Sequence, residues 1–85
     1  MEVLINKIYK HYMGDMYLVE NIALHTETEE ELVIYRGLYE NCKLYARPLS
    51  NFVEKLSIDK QNKYSQIHRF ELVEIPSKNK KYNSL

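Results

Sequence analysis

Glu31-Leu32-Val33-Ile34-Tyr35-Arg36-Gly37-Leu38-Tyr39 is the stretch on which the fold turns. Successive strand side chains point to opposite faces, so Leu32, Ile34 and Leu38 share one face and Val33, Tyr35 and Tyr39 the other. Both faces are apolar, which predicts a strand covered on each side, as in a small barrel. The one cation inside it, Arg36, is costly in such a place unless it faces solvent, pairs with an acid or meets a ligand.

Upstream, His25-Thr26-Glu27-Thr28-Glu29-Glu30-Glu31 is too acidic to bury and reads as an exposed connection between strands. Before it, Met16 to His25 is strand-like, with Tyr17 and Val19 on one face and Leu18 on the other. The polar Glu20-Asn21 pair breaks that alternation ahead of Ile22 and Leu24, which predicts a bulge near Asn21. Residues 7–12, KIYKHY, form a further short strand, and Met13-Gly14-Asp15 supplies a hairpin turn.

Downstream, Glu40-Asn41 turns the chain and Leu44 to Ala46 forms a short strand. Pro48 suits the opening of a helical turn, where its missing N–H is no loss. Leu49, Phe52, Val53 and Leu56 then follow helical spacing. Ser57 to Ser65 is polar and reads as a loop, and Arg69 to Ile75 as the closing strand with Phe70 and Leu72 inward. After Pro76 the segment SKNKKYNSL holds three Lys and no acid, so residues 76–85 are expected to be a disordered basic tail. The expected fold is mostly β: one domain over residues 1–75, a small five-stranded antiparallel barrel with one short helical turn. A ferredoxin-like sandwich would need two real helices.

Composition agrees. The chain has 85 residues, enough for one small core and too few for a two-domain enzyme. Eight Tyr and two Phe with no Trp and only two Gly favour strands. Twelve Lys and Arg balance twelve Asp and Glu, so the chain as a whole has no charge excess for holding nucleic acid or an anionic membrane. Nucleic acid is therefore not expected on the barrel. Without Lys78, Lys80 and Lys81 of the tail, nine bases face twelve acids, and the remaining charge is minus three. Mean hydropathy is -0.51 and there is no long apolar run, which argues against a membrane-spanning helix. The N-terminal MEVLINKIYK lacks the pattern of a secretory signal, and the single Cys42 allows no internal disulfide. Both point to a reducing, cytoplasmic setting.

Candidate chemistry is sparse. His11, His25, Cys42 and His68 lack the paired spacing that lets one element present two metal ligands, so no metal and no cofactor is expected. Cys42 lies in a turn without an activating helix or an oxyanion loop, and the Glu27 to Glu31 acids read as a solvated loop. Catalysis is the weakest of the functional readings. His25, Thr26, Tyr35, Arg36 and Arg47 form the more informative set. Guanidinium forks grip phosphate or carboxylate, Tyr stacks on planar groups, and Thr and His complete a polar pocket. Arg47 precedes Pro48 and is therefore held extended. The set suits a non-enzymatic module that captures a small anionic, nucleotide-like ligand. A structural role, with Arg–Glu pairs pinning the acidic loop, competes with it. The alternative function is an interaction adaptor that takes a protein segment or RNA in a barrel groove or along an edge. Tyr39 and Tyr45 suit a self-association contact.

Together, Ile8-Tyr9-Lys10-His11-Tyr12-Met13-Gly14, Tyr17, His25-Thr26-Glu27-Thr28, Leu32-Val33-Ile34-Tyr35-Arg36, Leu38-Tyr39, Ala46-Arg47-Pro48, Phe52 and Arg69-Phe70 resemble the bacterial and phage family known as domain of unknown function 1653. The resemblance runs from about residue 8 to residue 75 and is carried by the order of HTET, LVIYR and ARP rather than by any one of them. It implies a compact barrel of the Src-homology-3 type. The chain departs from the family in having Tyr45 where Trp is usual, and in its Lys-rich tail. A barrel of this type hosts many functions, so the resemblance supplies none.

Overall fold

The computed structural model describes residues 2–74; the tail at 76–85 lies outside the described residues. Five strands form one antiparallel sheet: β1 (Ile8–His11), β2 (Met16–Leu24), β3 (Glu31–Gly37), β4 (Leu44–Pro48) and β5 (Phe70–Leu72), in the order β4-β3-β2-β1-β5. Two short helices, α1 (Leu49–Phe52) and α2 (Ile58–Tyr64), separate β4 from β5.

Local chemistry accounts for the first four strands. The β1–β2 turn closes with His11 N–H donating to the Asp15 carbonyl and Gly14 N–H to the His11 carbonyl. Gly14 sits at φ 114°, a conformation that residues with a Cβ rarely adopt. The β2–β3 register shifts between Val19 and Asn21, a bulge where the polar pair predicts one. On either side of it, Val19 pairs with Tyr35 and Ile22 with Val33. The strand at β3 ends at Gly37, so Leu38 and Tyr39 belong to the bend that follows. Pro48 caps α1, whose Phe52 is buried while Leu49 and Val53 pack against the core.

Three expectations fail. Residues 57–65 are not a loop: α2 occupies 58–64, with the Ser57 hydroxyl accepting from Lys60 N–H, Asp59 in its first turn and Lys63 in its last. These charges suit the helix dipole. Leu72 shares the face of Phe70 but is exposed, because β5 is only three residues long and buries Phe70 alone. Finally, the sheet is not closed: β4 and β5 are its edges and do not pair.

The sheet is nevertheless strongly curled. In a flat sheet β3 and β5 would lie about 14 Å apart, three strand spacings. Yet the rings of Tyr35 on β3 and Phe70 on β5 are 5.5 Å apart. The gap between the edges is filled by α1, and residues 54–56 run against 67–69 through Leu56 N–H to Ile67 O, Arg69 N–H to Glu54 O and a Lys55–His68 bridge. The core on the concave side comprises Tyr9, Val19, Val33, Tyr35, Phe52 and Phe70. Buried Gln66 ties the segment before β5 to β1, its amide donating to the carbonyls of Lys10, His68 and Arg69.

Candidate functional site

The β3–β4 register places Tyr35 opposite Tyr45 and Val33 opposite Arg47, so Tyr35, Tyr45 and Arg47 all face the concave side. There Arg47 Nε donates to the Tyr35 hydroxyl at 3.0 Å and Nη1 to Asn51 Oδ1 on α1, and the guanidinium lies over the Phe70 ring, 5.3 Å from its centroid. Arg47 is half-buried and pairs with no carboxylate among the described residues. The other two arginines do: Arg36 with Glu20, and Arg69 with Glu54 at 3.2 Å.

His11 approaches the same ring from β1, its imidazole 5.0 Å from Phe70 and edge-on. Its Nδ1 accepts from Met13 N–H. Burial and the nearby positive charges of Arg47 and Arg69 hold its pKa below the ordinary imidazole value, which keeps that acceptor lone pair free of a proton. Lys60 acts in the same direction and Asp15 against it.

Beside this cation lies a line of tyrosine hydroxyls, Tyr17 to Tyr39 at 3.1 Å and Tyr39 to Tyr45 at 3.3 Å. Hydrogen bonding to Tyr17 raises the Tyr39 pKa, and hydrogen bonding to Tyr39 raises that of Tyr45. Two bonds use two of the three hydroxyl protons, which leaves one for an outside acceptor. Gly37 makes room for this line, since a Cβ there would meet the Tyr39 ring at 3.0 Å. Tyr39, Glu40, Asn41, Lys43 and Tyr45 line a shallow depression at this edge.

Of the five residues singled out from the sequence, the structure brings Tyr35 and Arg47 together. Arg36 follows Tyr35 on the strand and projects to the convex side, pairing with Glu20 at the bulge and donating to the Cys42 carbonyl at 2.8 Å. Its pKa is raised chiefly by the Glu20 hydrogen bond. His25 and Thr26 lie in the β2–β3 turn. There His25 Nδ1 accepts from the N–H groups of Glu27 and Thr28, and the His25 backbone exchanges hydrogen bonds with Glu29 and Glu30. His11, Asn51, Tyr17, Tyr39 and Tyr45 complete the concave cluster; only the spacing of Tyr45 two residues before Arg47 hinted at it.

No group of three or more metal-ligating side chains occurs among the described residues. No described helix is long and apolar enough to cross a membrane.

The comparisons with known proteins match the residue pattern. The chain is similar to a crystal structure of a DUF1653 protein from Bordetella bronchiseptica, with 28% identity, a TM-score of 0.67, and coverage of 87% of this chain and 95% of that one. None of the curated proteins matches it. The profile of the family described as "Protein of unknown function (DUF1653)" spans residues 7–72, all five strands and both helices included, and the chain belongs to that family.

Proposed function

We propose that the chain is a non-enzymatic binding module that captures a small anionic ligand with a planar group, with Arg47 as the anchor. The observation that carries this reading is the half-buried Arg47 guanidinium, held by two neutral oxygens and a ring face where its two counterparts have glutamates. A guanidinium so placed keeps Nη2 free to donate, and a bound carboxylate or phosphate supplies the charge it lacks. Tyr17 and Tyr45 add ring surface, and the tyrosine line adds a donor. The curled sheet works here as an incompletely closed barrel of the Src-homology-3 type, with the ligand at its open seam. Arg36 and His25 hold the scaffold, and Thr26 lies exposed in the β2–β3 turn.

Calorimetric titration with inorganic phosphate, nucleoside monophosphates and an aromatic carboxylate tests the reading. Binding of at least one, lost in Arg47→Gln and kept in Arg36→Gln, supports it. Silence across the panel, or equal loss in both variants, overturns it.

A further inference from the structure

A track of ring and cation contacts leads from the Arg47 site through the buried Phe70 and half-buried His11 to a surface platform of Tyr12 and Tyr64 at α2. Arg47 lies over Phe70; His11 meets Phe70 at 5.0 Å and Tyr12 at 4.3 Å, tilted by 31°; Tyr12 meets Tyr64 of α2 at 5.0 Å. Lys60 lies 5.2 Å over the Tyr12 ring and Lys63 5.3 Å over the Tyr64 ring. Tyr12 and Tyr64 are half-exposed, and both lysines are exposed.

We propose that this track binds single-stranded nucleic acid, with bases stacked on Tyr12 and Tyr64 and backbone phosphates held by Lys60, Lys63 and Arg47. The Arg47 end rests on the reading above; the Tyr12–Tyr64 platform does not. Every base has a π-face, so ring platforms flanked by cations hold single strands with little sequence preference. Each lysine now covers the ring face a base would take. A long flexible ammonium swings aside readily, and its new partner would be the phosphate attached to that base. His11 covers one face of Tyr12, tilted by 31°, which fixes the ring in place and leaves the Lys60 face for a base.

The net charge of minus three over residues 1–75 argues against nucleic acid only as an average over that part of the chain. Charge is unevenly placed along β2, with the Tyr12–Asp15 turn at its Met16 end and the acidic 25–30 turn at its Leu24 end. Nine residues of strand put about 26 Å between them, well beyond the screening length at physiological salt. Asp15 and Asp59 stand near the track and moderate its excess, so stacking carries a large share of the binding.

The test is fluorescence anisotropy of the full chain with labelled (dT)8 and (rU)8 over a salt series, beside calorimetry with a mononucleotide. Expected are octamer binding clearly tighter than mononucleotide binding and a log–log salt slope of about -2 for three phosphates. Tyr64→Ala is expected to weaken the octamer about tenfold while leaving the mononucleotide unchanged. Lys63→Gln, which keeps the ring, should lower the slope by about 0.7. The proposal is overturned if octamers bind no tighter than the mononucleotide, or if Tyr64→Ala leaves their affinity unaltered. Octamer binding that needs Tyr64, with silence from mononucleotide, phosphate and aromatic carboxylate alike, would uphold the track and remove the Arg47 reading; mononucleotide binding alone would do the reverse.

Discussion

Phe52 and Phe70 lie face to face, their ring centroids 4.1 Å apart and their planes within 2° of parallel. One belongs to α1 and the other to β5, so this contact fastens the helix that spans the open seam to the strand on its far side. Tyr9 and Tyr35 pack on Phe52 edge-on at 5.5 Å, which extends the same contact to β1 and β3.

Phe52→Ala therefore removes more than one ring's burial. In a core this small it is expected to cost about 3–5 kcal/mol, by lost transfer energy plus the cavity left behind. Urea denaturation followed by circular dichroism measures it. Phe52→Leu should lose clearly less.

His11 gives stability a pH dependence. Its folded pKa is lowered by burial and by Arg47 and Arg69, whereas the unfolded value is the ordinary 6.5. The unfolded chain thus binds the proton more readily, and the contribution is complete above pH 6.5 and lost as pH falls through the folded value. Melting temperature should decline as pH drops from neutrality through this window, and His11→Gln should flatten that part of the profile.

Gln66 is buried, and its amide donates three half-buried hydrogen bonds to backbone carbonyls. Gln66→Leu keeps the volume and removes that donor, leaving the Arg69 carbonyl with the Tyr12 N–H alone, at a cost of about 1–3 kcal/mol. Gln66→Glu should be worse at neutral pH, since an ionised carboxylate only accepts and would face three carbonyl oxygens. Paired denaturation curves of the two variants, at neutral pH and in mild acid, check the order.

Gly37→Ala sets a Cβ 3.0 Å from the Tyr39 ring, which must give by a few tenths of an ångström. The hydroxyl line is expected to lengthen, and the Tyr39 and Tyr45 pKa values, raised by those hydrogen bonds, should fall toward 10.0. Alkaline titration of tyrosinate absorbance in both proteins shows whether part of the profile moves to lower pH. A profile identical to that of the parent would mean that the line does not depend on Gly37.

The parts of the fold that were legible in the sequence are those set by local chemistry. The alternation of β3, the Met13–Asp15 turn, the bulge beside Glu20-Asn21 and the start at Pro48 each follow from residues within a few positions. α2 was missed because its only strongly apolar residue, Ile58, is exposed, so it has no apolar stripe to reveal it. Its signals were the Ser57 cap and the Asp59 to Lys63 polarity. Curling without closure depends on Phe70 meeting Tyr35 across the sheet, a long-range contact that no local pattern encodes. For the site, Tyr35 and Arg36 could not share one pocket, as neighbours on a strand face opposite ways. Arg47 could be placed beside Tyr35 only once the β3–β4 register was known, and His11 only once β5 had folded across.

The bulge in β2 is a change of phase. Counting in twos from Val19 would send Asn21 into the core and Ile22 to the outside; the extra residue reverses the parity, so Ile22 joins Val33 within. Were Glu20 deleted, Val19, Asn21 and Ile22 would face Tyr35, Ile34 and Val33 as consecutive pairs of an unbroken ladder, with both faces of the strand as they are now. Arg36, gripping the carboxylate of the inserted residue from the neighbouring strand, acts as the latch on that insertion. The costly cation in the most apolar strand thus holds the extra residue in place, and deleting Glu20 should cost chiefly the partner of Arg36, whereas deleting Ile22 with the bulge kept should turn one half of the strand inside out.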